Sequence, residues 1–489
     1  MKTAFLTLED LKIALNLFCC VYGIGTLGMP GNFSRAGPLI GTGALIFMTC
    51  ANVYASVACS RVMLGAPASV RTFGDLGEMC MGKAGRFLVV SSQMAVCLLG
   101  PCVFLVLGGT LLSSMFANTF SQVTWLIIMV ISVMPVCLTP TLKEGAGAAF
   151  AGCAGTIAAD VIGIIVLLSG MKGHPSVPAP EFRIEQVLGA FGNLSLAFSA
   201  GVLIPALQRQ HSDPSKMPRI IFITMTSISC LFLALSILAY STVGCQISGN
   251  LLFSIFPDSA TGLTALGFQA DRGVAVLAYL GMQLHITIAF AVFLHPAFYT
   301  LERLIIGMHQ QPSYVDIESE RVQRSAATTH YAISKRIIQT DDSVLSSALV
   351  IDSVLPTTYE EELAEYRNAA VAFKYITLRI VLIGTLVAVA IVFHDHLSDF
   401  MDFIGASCIS LSCIVLPILF YLKKLWAEIP LYEKTFAIVI LVVCSLLGCY
   451  VTYRSGVELF TKPDHSKPFP FCAAEFDKTL YYNSSSHRF

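Results

Sequence analysis

Tyr22-Gly23-Ile24-Gly25-Thr26-Leu27-Gly28-Met29-Pro30 is the stretch on which the reading of this chain turns. It lies inside an apolar run, residues 11–36, long enough to cross a hydrocarbon core about 30 Å thick. Glycine destabilises a helix interior and proline removes a backbone donor, so the run reads as two helical halves joined by an unwound segment. Unpaired backbone N–H and C=O groups at membrane depth are tolerated only against protein or a wet cavity, which makes such a break a signal of a binding site. Tight helix packing through small residues explains the same stretch equally well when it is taken alone.

Outward from this stretch the chain is apolar almost throughout. Of its 489 residues 55% are hydrophobic and 12% charged, with a mean hydropathy of +0.73; soluble domains carry about 25% charged residues. Apolar runs fall near residues 11–36, 38–63, 87–115, 124–140, 145–169, 184–208, 220–244, 274–307, 373–393, 400–422 and 435–453, which predicts an all-α polytopic membrane protein with 11 transmembrane helices. No small-residue cleavage site follows the first run, so it reads as a retained span. A net charge of −1 without basic runs excludes nucleic acid as a partner and leaves the lipid bilayer as the obligatory one.

Lys and Arg fix the orientation. With the N-terminus inside, twenty of them fall on the cytoplasmic side, nine on the outer side and Arg379 within a span, accounting for all thirty. The organisation is then a cytoplasmic N-tail (1–10), a membrane domain (11–453) with a cytoplasmic insert (309–366), and an extracytoplasmic C-tail (454–489) bearing the acceptor triplet Asn483-Ser484-Ser485. The insert reads as a solvated linker, with a regulatory partner as the lesser alternative. Most cysteines sit in apolar runs as small hydrophobes. Cys245 and Cys472 fall outside, and whether they pair is left open. The membrane, plasma or endolysosomal/vacuolar, is left open as well.

A second interruption occurs in the sixth span, Leu194-Ser195-Leu196-Ala197-Phe198-Ser199-Ala200-Gly201-Val202-Leu203-Ile204-Pro205. If the spans form two units of five, the first and sixth correspond, and paired interruptions in corresponding places mark the binding site of a secondary transporter.

Several motifs in order resemble the amino acid/auxin permease family of the amino acid–polyamine–organocation transporters. Asn16-Leu17, Gly23 through Pro30 and Ala36-Gly37 look like its first helix, and Phe73-Gly74-Asp75-Leu76-Gly77 with Gly85-Arg86 like the loop after its second. Ala197-Phe198-Ser199, Pro205 and Asp213-Pro214 resemble its sixth helix and following loop, and Phe403-Ile404-Gly405-Ala406 with Pro417 its tenth. The resemblance implies a five-plus-five inverted repeat (a leucine-transporter-like fold) with broken helices 1 and 6. It further implies alternating-access transport of an L-amino acid without a cofactor, driven by protons or sodium.

A broken helix complements both ends of an amino acid, amides facing the carboxylate and carbonyls the ammonium. On that basis the carboxylate is placed on Gly25, Thr26 and Leu27, and the ammonium near Val21, Tyr22, Leu196 and Ala197. Gly23 and Ser199 complete the breaks, and Phe198 is a gating candidate. Family members often carry a polar residue where this chain has Gly201, which is expected to leave room. The sodium-coupled branch has asparagine where Cys19 stands, a poor ligand for a hard cation, so protons are favoured over sodium.

Asp160 is the acidic residue well inside a span and should carry a specific role, as a proton carrier or a hydrogen-bonded interior group. His285 and Thr287 are further ion-coupling candidates. His285 and His295 lie about 15 Å apart along a helix and cannot act as a pair. His394-Asp395-His396 sits at a span end and is assigned no chemistry. No metal site or catalytic constellation is evident, so the chain does not read as an enzyme. A nutrient sensor on a transporter scaffold stays open as the alternative.

Overall fold

The computed structural model describes residues 7–67, 69–139, 145–172, 178–308, 366–462 and 468–478. The insert from 309 to 365 and the Asn483 acceptor lie outside the described residues. Helix α1 (Leu8–Val21) starts on a reciprocal cap in which Thr7 and Asp10 each accept the other's amide. It ends at the predicted break, and α2 (Ile24–Leu64) begins beyond Gly23. The 41 residues of α2 would span about 60 Å, twice a hydrocarbon core. Gly37, with φ of 77°, divides them in a conformation that favours glycine.

Helix α3 (Phe73–Met115) bends in the same manner at Gly82. Its opening residues, which resembled a loop, are helical because Thr72 and Asp75 repeat the reciprocal cap of Thr7 and Asp10. Helices α4 (Gln122–Leu138) and α5 (Gly145–Gly170) follow. Helix α6 (Ile184–Ala197) stops at Phe198, and the chain passes a tight turn at Gly201–Leu203 before resuming as α7 (Ile204–Gln210). Pro205 falls in the first turn of α7, where its missing N–H is no loss.

Helices α8 (Met217–Val243), α9 (Leu251–Ile255), α10 (Arg272–Leu301), α11 (Ala369–Val392), α12 (Leu397–Ile404), α13 (Leu416–Leu425) and α14 (Leu431–Glu458) complete the chain. Wide turns at Gly405–Ile409 and Leu411–Val415 join α12 and α13 into one rod. Among the described residues nine helices are long and apolar enough to cross a membrane, beside the shorter Gln122–Leu138. The protein is an integral, multi-pass membrane protein.

Helix α10 packs along α5 and α3, and α2 along α8 and α6. Apolar side chains such as Leu39, Phe87, Phe373 and Tyr453 point outward, where acyl chains would cover them.

The two ends of the bundle are chemically distinct. At one, Cys245 just after α8 is disulfide-bonded to Cys472 of the C-tail. At the other, the buried Arg379 of α11 pairs with Glu302 after α10 at 2.7 Å and donates to the carbonyls of Cys137 and Thr139 at 2.9 and 2.6 Å. A charge inside a span is tolerable when matched in this way. Tyr366 donates to the same Glu302 at 2.8 Å and packs with Met308 and Tyr375, so the two flanks of the insert meet here.

Candidate functional site

The first break is closed on one side and open on the other. The Tyr22 amide donates to Phe18 O at 2.7 Å to finish α1, and Gly23 O accepts the amide of Thr26 at 3.0 Å and its hydroxyl at 2.9 Å. Thr26 therefore spends its amide locally, while Gly25 stands earlier in the first turn of α2, where an α-helix supplies no backbone acceptor. The second break lies directly against the first. A Cβ added to Gly25 would meet Ala197 Cα at 2.7 Å and Cβ at 2.8 Å, so this approach requires glycine.

Beside this crossing is a cavity of about 90 Å³, room for several waters at about 10–15 Å³ each. Cys19, Cys20, Val21, Gly23 and Gly25 line it from the first break, Leu196 and Ser199 from the second, and His285 from α10. The rest of its wall is apolar, from Val96, Val103 and Phe104 on α3 and Ile288, Val292 and Phe293 on α10. A single sequence holds no signal for these α3 and α10 residues, since an apolar side chain facing a cavity looks the same as one facing lipid.

The other expected residues stand behind this wall. Leu27 is core, and Ala197 is the surface on which Gly25 rests. Phe198 is fully buried edge-on to Phe232 at 5.4 Å, and Phe232 stacks on Tyr22 at 5.9 Å. Gly201 does not leave the expected room. A Cβ there would meet Cys413 Cα at 2.8 Å, so the α12–α13 rod occupies the space. Thr287 donates its hydroxyl to Gln283 O at 2.8 Å and is not part of the lining. His285 lies with Nε2 against Gly23, where a Cβ would approach to 2.8 Å.

Asp160 of α5 faces the back of the first break. Its Oδ2 accepts the Tyr22 hydroxyl at 2.9 Å, and its Oδ1 lies 3.3 Å from the Thr26 hydroxyl. Those two hydroxyl protons face three acceptors, because Thr26 also bonds Gly23 O. A proton on Asp160 would complete the set.

Both ends of the site are fastened. Toward the disulfide end, Arg35 on the first half of α2 pairs with Asp402 of α12 at 2.6 Å, both buried. At the opposite end, the Asp213 amide donates to His211 Nδ1 at 2.9 Å. That leaves Nε2–H to donate to Asp10 at 2.9 Å. Glu9 accepts the Ser212 hydroxyl and amide, which hold its carboxyl below the usual range. The Thr7 amide, with smaller contributions from the Thr7 hydroxyl, His211 and Lys216, does the same for Asp10. The start of α1 is thus pinned to the segment after α7.

Residues 10–456, which include both breaks, Asp160, His285 and Asp402, match the family described as transmembrane amino acid transporter protein. The chain belongs to that family. This family member is 23% identical over 267 residues to amino acid transporter AVT1D of Arabidopsis thaliana, covering 51% of the chain and 47% of the relative. It is 24% identical over 317 residues to amino acid transporter AVT3A of the same plant, covering 60% and 68%. The chain spans about half the length of the first of these relatives. Both relatives are described as amino acid transporters. Among solved structures it is similar to a manganese transporter of Eremococcus coleocola, at 11% identity and a TM-score of 0.48 over 94% of this chain and 88% of that one.

Proposed function

We propose that this chain is a secondary active transporter of neutral L-amino acids with apolar side chains, working by alternating access and coupled to protons. The observation that carries the reading is the meeting of two helix breaks, Gly25 on Ala197, at the wall of an apolar cavity. The first amides of α2 offer a dipole end for a carboxylate, and the last carbonyls of α1 one for an ammonium. The side chain would enter the space between Val96, Val103 and Phe104 of α3 and Ile288, Val292 and Phe293 of α10. A charged side chain would find only His285, Ser199 and two thiols for company there.

The same reading gives eleven crossings. The bent helix Gly25–Leu64 counts twice among the nine long helices, and Gln122–Leu138 adds one more. The disulfide end is assigned outside, in keeping with an oxidising compartment and with the charge asymmetry of the loops. The state described is then closed outside by Arg35–Asp402, and α1 is held inside by the Glu9–Asp10–His211 latch. Releasing that latch would let α1 pivot about Gly23.

Asp160 is the proposed proton carrier. It is buried with no cation in ion-pair range among the described residues, and its hydroxyl partners belong to the break itself, so its protonation is coupled to the shape of the site. Counterflow of labelled amino acids in proteoliposomes tests the reading. Exchange of apolar neutral substrates is expected, and binding without exchange for every amino acid would replace transport by sensing.

A further inference from the structure

The segment following α14 lies beyond the residues matched to the family and folds back over the disulfide end. Its contacts reach several elements. Cys472 is bonded to Cys245 behind α8. The Phe471 carbonyl accepts the Glu181 amide at 3.1 Å, just ahead of α6. The Phe476 carbonyl accepts Gln246 Nε2 at 3.1 Å. Phe469 and Cys472 are 5% and 3% exposed, which a tail lying loosely on the surface would not be.

The fourth contact falls on the gate. The Phe471 ring centre lies 5.1 Å from Arg35 Cζ, so the guanidinium has the Asp402 carboxylate at 2.6 Å on one side and an aromatic ring on another. A ring attracts a cation through its quadrupole, so this contact favours the geometry in which Arg35 sits on Asp402. We propose that residues 468–478 form a lid, fastened by Cys245–Cys472, in which Phe471 is a positioning residue that holds Arg35 on Asp402 and stabilises the outer-closed state. The proposal rests on the alternating-access reading. The disulfide gives the lid a specific property: when the ion pair parts, Phe471 stays tethered beside α8, and its return is an intramolecular step at high effective concentration.

The test uses the full chain in vesicles of both orientations. Phe471→Leu keeps the apolar bulk but removes the ring, and Phe471→Tyr keeps the ring. A cation–π contact shifts an equilibrium about two- to fivefold at an exposed site and roughly thirtyfold when desolvated, which brackets this contact between a buried Arg35 and a half-buried Phe471. Phe471→Leu should therefore lower the apparent KM measured from outside and raise that measured from inside, each by a factor within that range, with Phe471→Tyr at wild-type values. The paired Cys245→Ser, Cys472→Ser variant should move both in the same sense as Phe471→Leu. Unchanged KM values in Phe471→Leu, or both values moving the same way as a general folding defect would move them, overturn the lid. If the wild type exchanges nothing from either side, the transporter reading fails and the lid is judged on amide hydrogen exchange. Protected Glu181 and Phe469 amides that open faster in Phe471→Leu then support it, and unprotected ones in the wild type overturn it.

Discussion

Gly25→Ala is the sharpest perturbation of the crossing between the two breaks. The new Cβ would sit 2.7 Å from Ala197 Cα, where ordinary contact begins at 3.4 Å, so the helices must separate by roughly 0.7 Å. The obstacle is backbone and cannot rotate away. Overpacking of this kind costs about 1–3 kcal/mol, and a misplacement near 1 Å in a binding geometry costs on the order of 100-fold. Initial uptake in proteoliposomes should fall about 10- to 100-fold, at a protein yield that shows the chain still folds. Gly43→Ala is the matched control, because nothing lies within 4 Å of its Cβ, and it should transport as the wild type does. Adding Ala197→Gly to Gly25→Ala should not rescue it, since the clash is with Cα. Wild-type uptake in Gly25→Ala, or full rescue by Ala197→Gly, would refute the idea that the breaks touch at this point.

Asp160→Asn fixes the residue in its neutral form. Uptake driven by an inward pH gradient should drop more than about tenfold while counterflow without a gradient persists; equal loss of both would make Asp160 a packing residue. Arg379→Met alone takes the ion-pair partner at 2.7 Å from the buried Glu302 and should destabilise the solubilised protein by about 3–5 kcal/mol, with much of the loss recovered when Glu302→Leu is added. A single variant as stable as the wild type in thermal unfolding would deny the pair its structural role. At the start of α1, Glu9 and Asp10 have lowered pKa values, so their bonds stabilise the latch above the ordinary carboxylate range and are lost as pH falls through the lowered values. Amide protection at residues 8–12 should be steady from about pH 5 to 8 and decay below about pH 4. Decay centred well above the carboxylate range would deny Glu9 and Asp10 control of the latch.

Much of this architecture is legible in sequence because a membrane span is a compositional object. The first break was visible since Gly23, Gly25, Gly28 and Pro30 contradict the helix around them, and Asp160 stood out as an acid in an apolar run. Long-range partnership was not legible. Nothing local links Arg35 to Asp402 across 367 residues, or places Phe471 on Arg35. In sequence Gly201 reads as extra room, yet the missing side chain lets the α12–α13 rod come closer, a use of glycine that only the neighbouring backbone reveals. That the Thr26 amide is bonded to Gly23 O is not legible either, because sequence marks where a helix starts only to within a residue or two. One residue decides which amide is free.

The most direct measurement is counterflow of labelled amino acids into proteoliposomes of the full chain, run across all twenty at two pH values. The account expects exchange of apolar neutral amino acids, faster net uptake under an inward proton gradient, and indifference to replacing sodium by choline. Saturable binding with no exchange of any amino acid, or uptake strictly dependent on sodium, would contradict it.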